Sequence, residues 1–201
     1  PRDHEAVPHA NDSTAPARVY DPAMVADVLS AANDVAEVVE ANAGEAEQLR
    51  RLPPATVEAL TCGDLMRMCL PAVYGGPEVD PPTLLRAIMT VARADGAAGW
   101  CSMIASTTSS MAAFLPEEGA REIYGDPRVV TGGVFAPNGV GASVVDQPTP
   151  GFSVSGRWSW GSGTQHCAWI LGGAACDDDT FRLCWFPQAD VTFHDTWHTG
   201  G

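Results

Sequence analysis

The sequence predicts an α+β chain in which helices come first and an antiparallel sheet follows. Three observations carry this. Residues 20–125 repeat apolar side chains at three- and four-residue steps between Pro and Gly punctuation. After Asp126 the pattern becomes short β-branched runs separated by Gly, Pro and Asn. Helices grouped ahead of strands, with no internal repeat, define α+β or two-domain organisation rather than alternating α/β.

Each element follows from its residues. Residues 1–19 are polar and Pro-rich and read as a disordered tail. Asp21-Pro22 starts the first helix, an acid at the N-cap followed by Pro in the first turn. Val25, Val28, Leu29, Ala32, Val35, Ala36 and Val39 form its apolar stripe, and Gly44 is expected to interrupt or end it. Pro53-Pro54 opens a second helix that Gly63 stops, and Tyr74-Gly75-Gly76-Pro77 is a turn. A third helix runs over 82–94 with Leu84, Leu85, Ile88, Val91 and Ala92 inward, closed by Asp95-Gly96. The small, apolar stretch 97–115 is a buried helix, and Pro116-Glu117-Glu118 opens a short amphipathic one. Six runs, 129–135, 142–146, 151–160, 167–174, 180–186 and 191–194, are the predicted strands. A sheet ending at Gly200-Gly201 leaves an open edge, to be covered by a partner or by further sequence.

Composition narrows the function classes. The 201 residues are 45% hydrophobic and 18% charged, which suits a folded chain. The formal net charge is −14, and all basic residues are Arg. Such a surface repels phosphate backbones and anionic lipids, so neither nucleic-acid nor membrane-surface binding is expected. The absence of Lys excludes Schiff-base and P-loop lysine chemistry. No apolar run is long enough for a membrane span, and the N-terminus lacks the apolar core of a secretory signal. The six cysteines form no C-x-x-C pair, so no metal site is expected; reduced, buried thiols in a cytoplasmic protein are.

The densest chemical candidate is Gly156-Arg157-Trp158-Ser159-Trp160-Gly161-Ser162-Gly163. An indole packs flat on a planar ring system, a turn hydroxyl bonds its polar edge, and glycines allow close backbone approach. The segment suits a flavin-type ligand; the competing reading is an ordinary β-turn with Trp in the core. Val134-Phe135-Ala136-Pro137-Asn138-Gly139 ends another strand and could lie beside it, though Pro-Asn-Gly is a common plain turn. His166, His194 and His198 have no metal-ligand spacing. The Ser/Thr run 106–110 could face a ligand or bond back to helix carbonyls.

In order and spacing these segments resemble the acyl-CoA dehydrogenase fold, and within it the flavin-dependent monooxygenases of two-component aromatic hydroxylases. Leu70-Pro71-Ala72-Val73-Tyr74-Gly75-Gly76 resembles a P-x-x-Y-G-G turn, and Ala94-Asp95-Gly96-Ala97-Ala98-Gly99-Trp100 the segment joining two long helices, its Gly-Trp pair typical of the monooxygenase branch. The 156–163 segment is similar to the hydroxylases' W-x-x-S-S-G type, and 195–201 to the lead into a later Gly-rich loop. The resemblance implies a helical N-terminal domain over 20–125 and most of a β-barrel-like middle domain over 126–201, with the C-terminal helical bundle absent. It implies FAD or FMN as cofactor. Ser162 then bonds near flavin N5 as the catalytic hydroxyl, Trp160 packs near the ring, and Val134, Phe135, Ala136 and Pro137 lie beside it. Trp100 and Thr108 are expected to line the substrate pocket; Thr108 stands nearest to where some aromatic hydroxylases carry a His. The implied activity is monooxygenation of a small organic substrate by reduced flavin and oxygen. Its partners would be a flavin reductase and either further copies or a chain supplying the missing helical domain. The alternatives are an acyl-CoA dehydrogenase-type flavin oxidoreductase and a non-catalytic half-subunit that binds a partner chain.

Overall fold

The computed structural model describes residues 22–145 and 151–198. The expected tail, the Asp21 cap and residues 199–201 lie outside them. Five α-helices precede four strands: α1 (Pro22–Leu49), α2 (Pro54–Cys62), α3 (Pro81–Ala94), α4 (Gly96–Ser109), α5 (Glu117–Tyr124), then β1 (Thr131–Val144), β2 (Gly151–Gly156), β3 (Trp169–Cys176) and β4 (Phe181–Pro187).

Local chemistry sets most boundaries. Asp80 caps α3 by accepting from the Thr83 N–H at 2.9 Å, and Asp95 caps α4 by accepting from the Ala98 N–H at 2.7 Å. Gly63 ends α2 as expected. Gly44 does not end α1, which continues to Leu49. A glycine inside a helix costs only about 1 kcal/mol relative to Ala, and the next turn recovers it by burying Ala46.

Val28, Ala32, Val35 and Val39 of α1 face the core as their spacing predicts. The inner face of α3 is rotated from its expected position. Thr83, Ala87 and Val91 are buried, Leu84 and Ile88 are packed at the margin, and Leu85 is 58% exposed. The small residues Thr83 and Ala87 let α1 and α3 approach closely, which the larger leucines could not. On α4 Ser106, Thr108 and Ser109 of the hydroxyl run turn inward, with Thr107 left exposed: Ser106 Oγ donates to Leu65 O at 3.0 Å, Ser109 Oγ to Ser106 O at 2.7 Å, and Thr108 is 1% exposed. The run therefore satisfies backbone carbonyls within the packing.

The strands form one sheet in the order β2-β1-β3-β4. The outer pairs β1/β2 and β3/β4 are antiparallel, as expected, but β1 and β3 pair in parallel. Two predicted strands, 129–135 and 142–146, belong to the single strand β1, and 191–194 forms no strand. They merge because residues 135–138 make a bulge, after which the β3 ladder resumes at Gly139↔Ala174. The sheet curls: Arg182 on β4 lies 4.3 Å above the ring of Phe152 on β2, although β1 and β3 intervene. A main core joins the helices to Val130, Cys167 and Ile170, and a smaller one gathers Leu70, Ile123, Tyr124 and Val129 against Trp169 and Trp185.

Candidate functional site

The segment 157–163 leaves the end of β2, where Gly156 pairs with Gly139 just beyond the β1 bulge. It finishes where Ser162 and Gly163 meet Val130 and Thr131 at the start of β1, against Cys101 and Ile104 of α4. The two ends of the segment thus meet β1 on either side of 134–138.

Its two indoles have opposite surroundings. Trp158 Nε1 donates to Gly173 O at 2.8 Å, and its ring stacks obliquely on Phe186, centroids 5.6 Å apart. A Cβ on Gly139, Gly156 or Gly172 would come within 2.6, 2.9 or 2.8 Å of that ring. Trp158 is the packed tryptophan of the pair, half-buried against the sheet. Trp160 is 81% exposed and holds a left-handed backbone, φ 68°. Such a conformation is costly for a bulky residue, and an exposed indole forgoes the burial that would offset it. Phe135, on the bulge, is 45% exposed, and Ala136 and Pro137 are exposed beside it; Val134 is half-buried on the ladder with Gly172. A tight turn follows Trp160: Ser162 N–H donates to Trp160 O at 2.9 Å, and Thr164 Oγ1 to Gly161 O at 2.7 Å. Gly163, φ 67°, lies where a side chain would press on Cys101, with Sγ at 3.1 Å. Ser162 is half-buried, and among the described residues no side chain engages its hydroxyl.

The α4 helix supplies the neighbouring wall. Trp100 is 54% exposed, whereas Thr108 points into the packing. One turn and two turns from Trp100, the outward residues are Met103, Ile104 and Thr107, and Thr107 Oγ1 donates to Met103 O at 2.8 Å. Thr107, and not the expected Thr108, is therefore the threonine on the exposed face; the three- and four-residue step from Trp100 would have pointed to it. Trp197 also belongs here. Its ring meets Trp160 edge-on, with centroids 6.1 Å apart and planes at 78°.

The buried polar groups beneath are chemically quiet. Burial pushes the Cys101 thiol up to about 11, and burial drives Cys167 higher still. Tyr124 is also raised by burial, despite a 3.2 Å hydrogen bond with Thr131. Burial and the nearby Arg51 charge lower His166. Among the described residues, no group of three or more His, Cys, Asp and Glu is placed to hold a metal, and no helix is long and apolar enough to cross a membrane.

The residue types a planar ligand needs are present on these segments: Phe135 and Trp160 carry exposed rings, the Ser162 hydroxyl has no side-chain partner among the described residues, and Gly161 and Gly163 keep the backbone of the turn low.

No family model matches the chain. It is 32% identical over 164 residues to the oxygenase subunit HsaA of a flavin-dependent monooxygenase from Rhodococcus jostii, covering 79% of this chain and 42% of the relative. The crystal structure of the HsaA monooxygenase from Mycobacterium tuberculosis superposes with a TM-score of 0.79 and 29% identity, covering 87% of this chain and 46% of that one. XiaF from a Streptomyces species, solved in complex with FADH2 and glycerol, gives a TM-score of 0.79 at 26% identity over 89% of this chain and 46% of that one. The chain's relatives and structural neighbours are thus oxygenase components of flavin-dependent monooxygenases with an acyl-CoA dehydrogenase-like fold. The chain spans less than half the length of the curated relatives it matches.

Proposed function

We propose that this chain is the helical and β portion of a flavin-dependent monooxygenase oxygenase component, and that the corner between 134–138 and 160–163 receives the flavin ring. The observation that carries the reading is Trp160, an exposed indole in a left-handed turn, in a chain whose relatives are flavin-dependent hydroxylases. In this reading 20–125 is the helical domain and 126–201 the larger part of the β-domain. Further sequence or a second chain supplies the C-terminal helices.

Reduced FMN or FAD, delivered by a separate reductase, would supply the electrons that activate oxygen. The chain's residues bind, orient and exclude water. Trp160 and Phe135 wall the ring, with Val134, Ala136 and Pro137 beside them. The Ser162 hydroxyl donates a hydrogen bond toward the N5 edge and holds the ring in one orientation. Trp100 forms the substrate side with the outward face of α4, where Thr107 offers a hydroxyl and Thr108 shapes the wall from behind. A small aromatic substrate suits this apolar face, and p-hydroxyphenylacetate and resorcinol hydroxylases are among the relatives. The experiment is oxygen consumption and product formation with reduced flavin and candidate phenols. Coupled hydroxylation that falls on Ser162→Ala supports the reading. Reduced flavin that binds yet ignores oxygen rejects it. So does a protein that takes up no flavin.

A further inference from the structure

Nothing on the 157–163 segment itself braces the exposed Trp160 indole; its described ring contact comes from Trp197, near the other end of the β portion. Trp197 belongs to the irregular stretch 191–198, which is tied down at the end of α1 chiefly by Arg50. Arg50 Nη1 and Nη2 grip Asp195 Oδ1 and Oδ2 at 3.1 and 2.7 Å, a bidentate pair. Nη1 also donates to Trp197 O and lies 3.0 Å from His198 Nδ1. One guanidinium therefore holds the residue carrying the indole, the residue after it and the residue two before it. Arg50 itself is left-handed, φ 56°, a conformation disfavoured for Arg. That backbone ends α1 and turns the side chain onto the strap. Arg51 adds a second cation 3.9 Å from Asp195.

We propose that Arg50 and Asp195 are positioning residues: they clamp the strap so that Trp197 sets the rotation of the Trp160 indole. For catalysis this rests on the flavin reading above; the clamp itself does not. A planar ligand stacks only on a wall of fixed orientation, and an exposed indole otherwise samples several rotamers. The clamp confines it without covering its face.

The test uses the full-length protein and two readouts. The first, independent of flavin, is the near-ultraviolet circular dichroism of the Trp160–Trp197 pair. The second is the affinity for oxidised FMN and FAD. Asp195→Ala and Trp197→Ala should each diminish the tryptophan band that Trp160→Ala removes. Each should weaken flavin binding about fivefold, and the double variant no further, as expected for residues acting as one unit. Trp197→Phe should retain most of the affinity. In a Trp160→Ala background, Asp195→Ala should change affinity less than about twofold. An unchanged band in Asp195→Ala, or an equal loss of affinity with and without Trp160, overturns the clamp. A band that responds to Asp195→Ala in a protein that binds no flavin supports the clamp and rejects the flavin reading.

Discussion

Trp158 and Trp160 leave the same strand and face opposite fates. Around Trp158 the sheet is closed: three glycines make a slot, Phe186 closes it, and Gly173 O takes the indole proton. Around Trp160 the chain is open, and the ring rests on one edge contact with Trp197. The difference lies in the neighbours and not in the residue. Glycines on adjacent strands seat one indole against the sheet; a left-handed turn ahead of Gly161 projects the other into solvent. One tryptophan packs into the sheet; the other stands in solvent on a left-handed backbone, where the proposed flavin would cover it.

The comparison can be broken most severely by exchanging the roles. Trp158→Ala should destabilise the chain by about 3 kcal/mol, as for other large-to-small aromatic changes. Trp160→Ala should leave stability within about 1 kcal/mol. Denaturant titration of both checks this, and equal losses would erase the distinction. Gly172→Ala is a finer probe, because the new methyl would lie 2.8 Å from Trp158 and 3.1 Å from Phe186. A cost of about 2 kcal/mol is expected, by overpacking.

On the open side, effects appear in binding. Trp160→Ala should weaken flavin binding roughly tenfold, the equivalent of about 1.4 kcal/mol of ring contact. The strap adds a pH signature. The Arg50 hydrogen bond holds the Asp195 carboxyl below the usual carboxylate range, helped by the charges of Arg50, His198 and Arg51. A lowered folded-state pKa contributes above the unfolded value and is lost as pH falls through the folded one. The Trp160–Trp197 signal should therefore be flat from neutral pH down through the ordinary carboxylate range, about pH 4, and be lost only at lower pH. The smallest effect tests the floor of the corner. Cys101, raised to about 11 beneath Gly163, and buried Cys167 should resist iodoacetamide at mildly alkaline pH, while exposed Cys62 is labelled first. Mass spectrometry reads the order.

Much of the fold was legible where local chemistry decides it. Pro53-Pro54 and Gly63 bound α2, Asp95 closes α3, and Pro116 precedes α5, whereas the Asp80 cap of α3 was not read. The failures come from tertiary choices. Gly44 is tolerated because one helical glycine costs only about 1 kcal/mol and the following turn packs Ala46. The α3 face rotated because close helix approach favours Ala87 over Leu85. The β1/β3 pairing is parallel across a bulge, and alternation within a strand carries no direction. The corner was legible as an indole, a hydroxyl and glycines in one turn. Its second half was not: Arg50 and Trp197 are 147 residues apart, and only the folded chain brings them together.

The most direct measurement is an anaerobic titration of the full-length protein with reduced FMN and FAD, wild type beside Trp160→Ala and Trp158→Phe. The expected result is saturable binding by wild type and Trp158→Phe, weakened roughly tenfold by Trp160→Ala. Equal binding by Trp160→Ala and wild type would place the flavin elsewhere and contradict the role given to this corner.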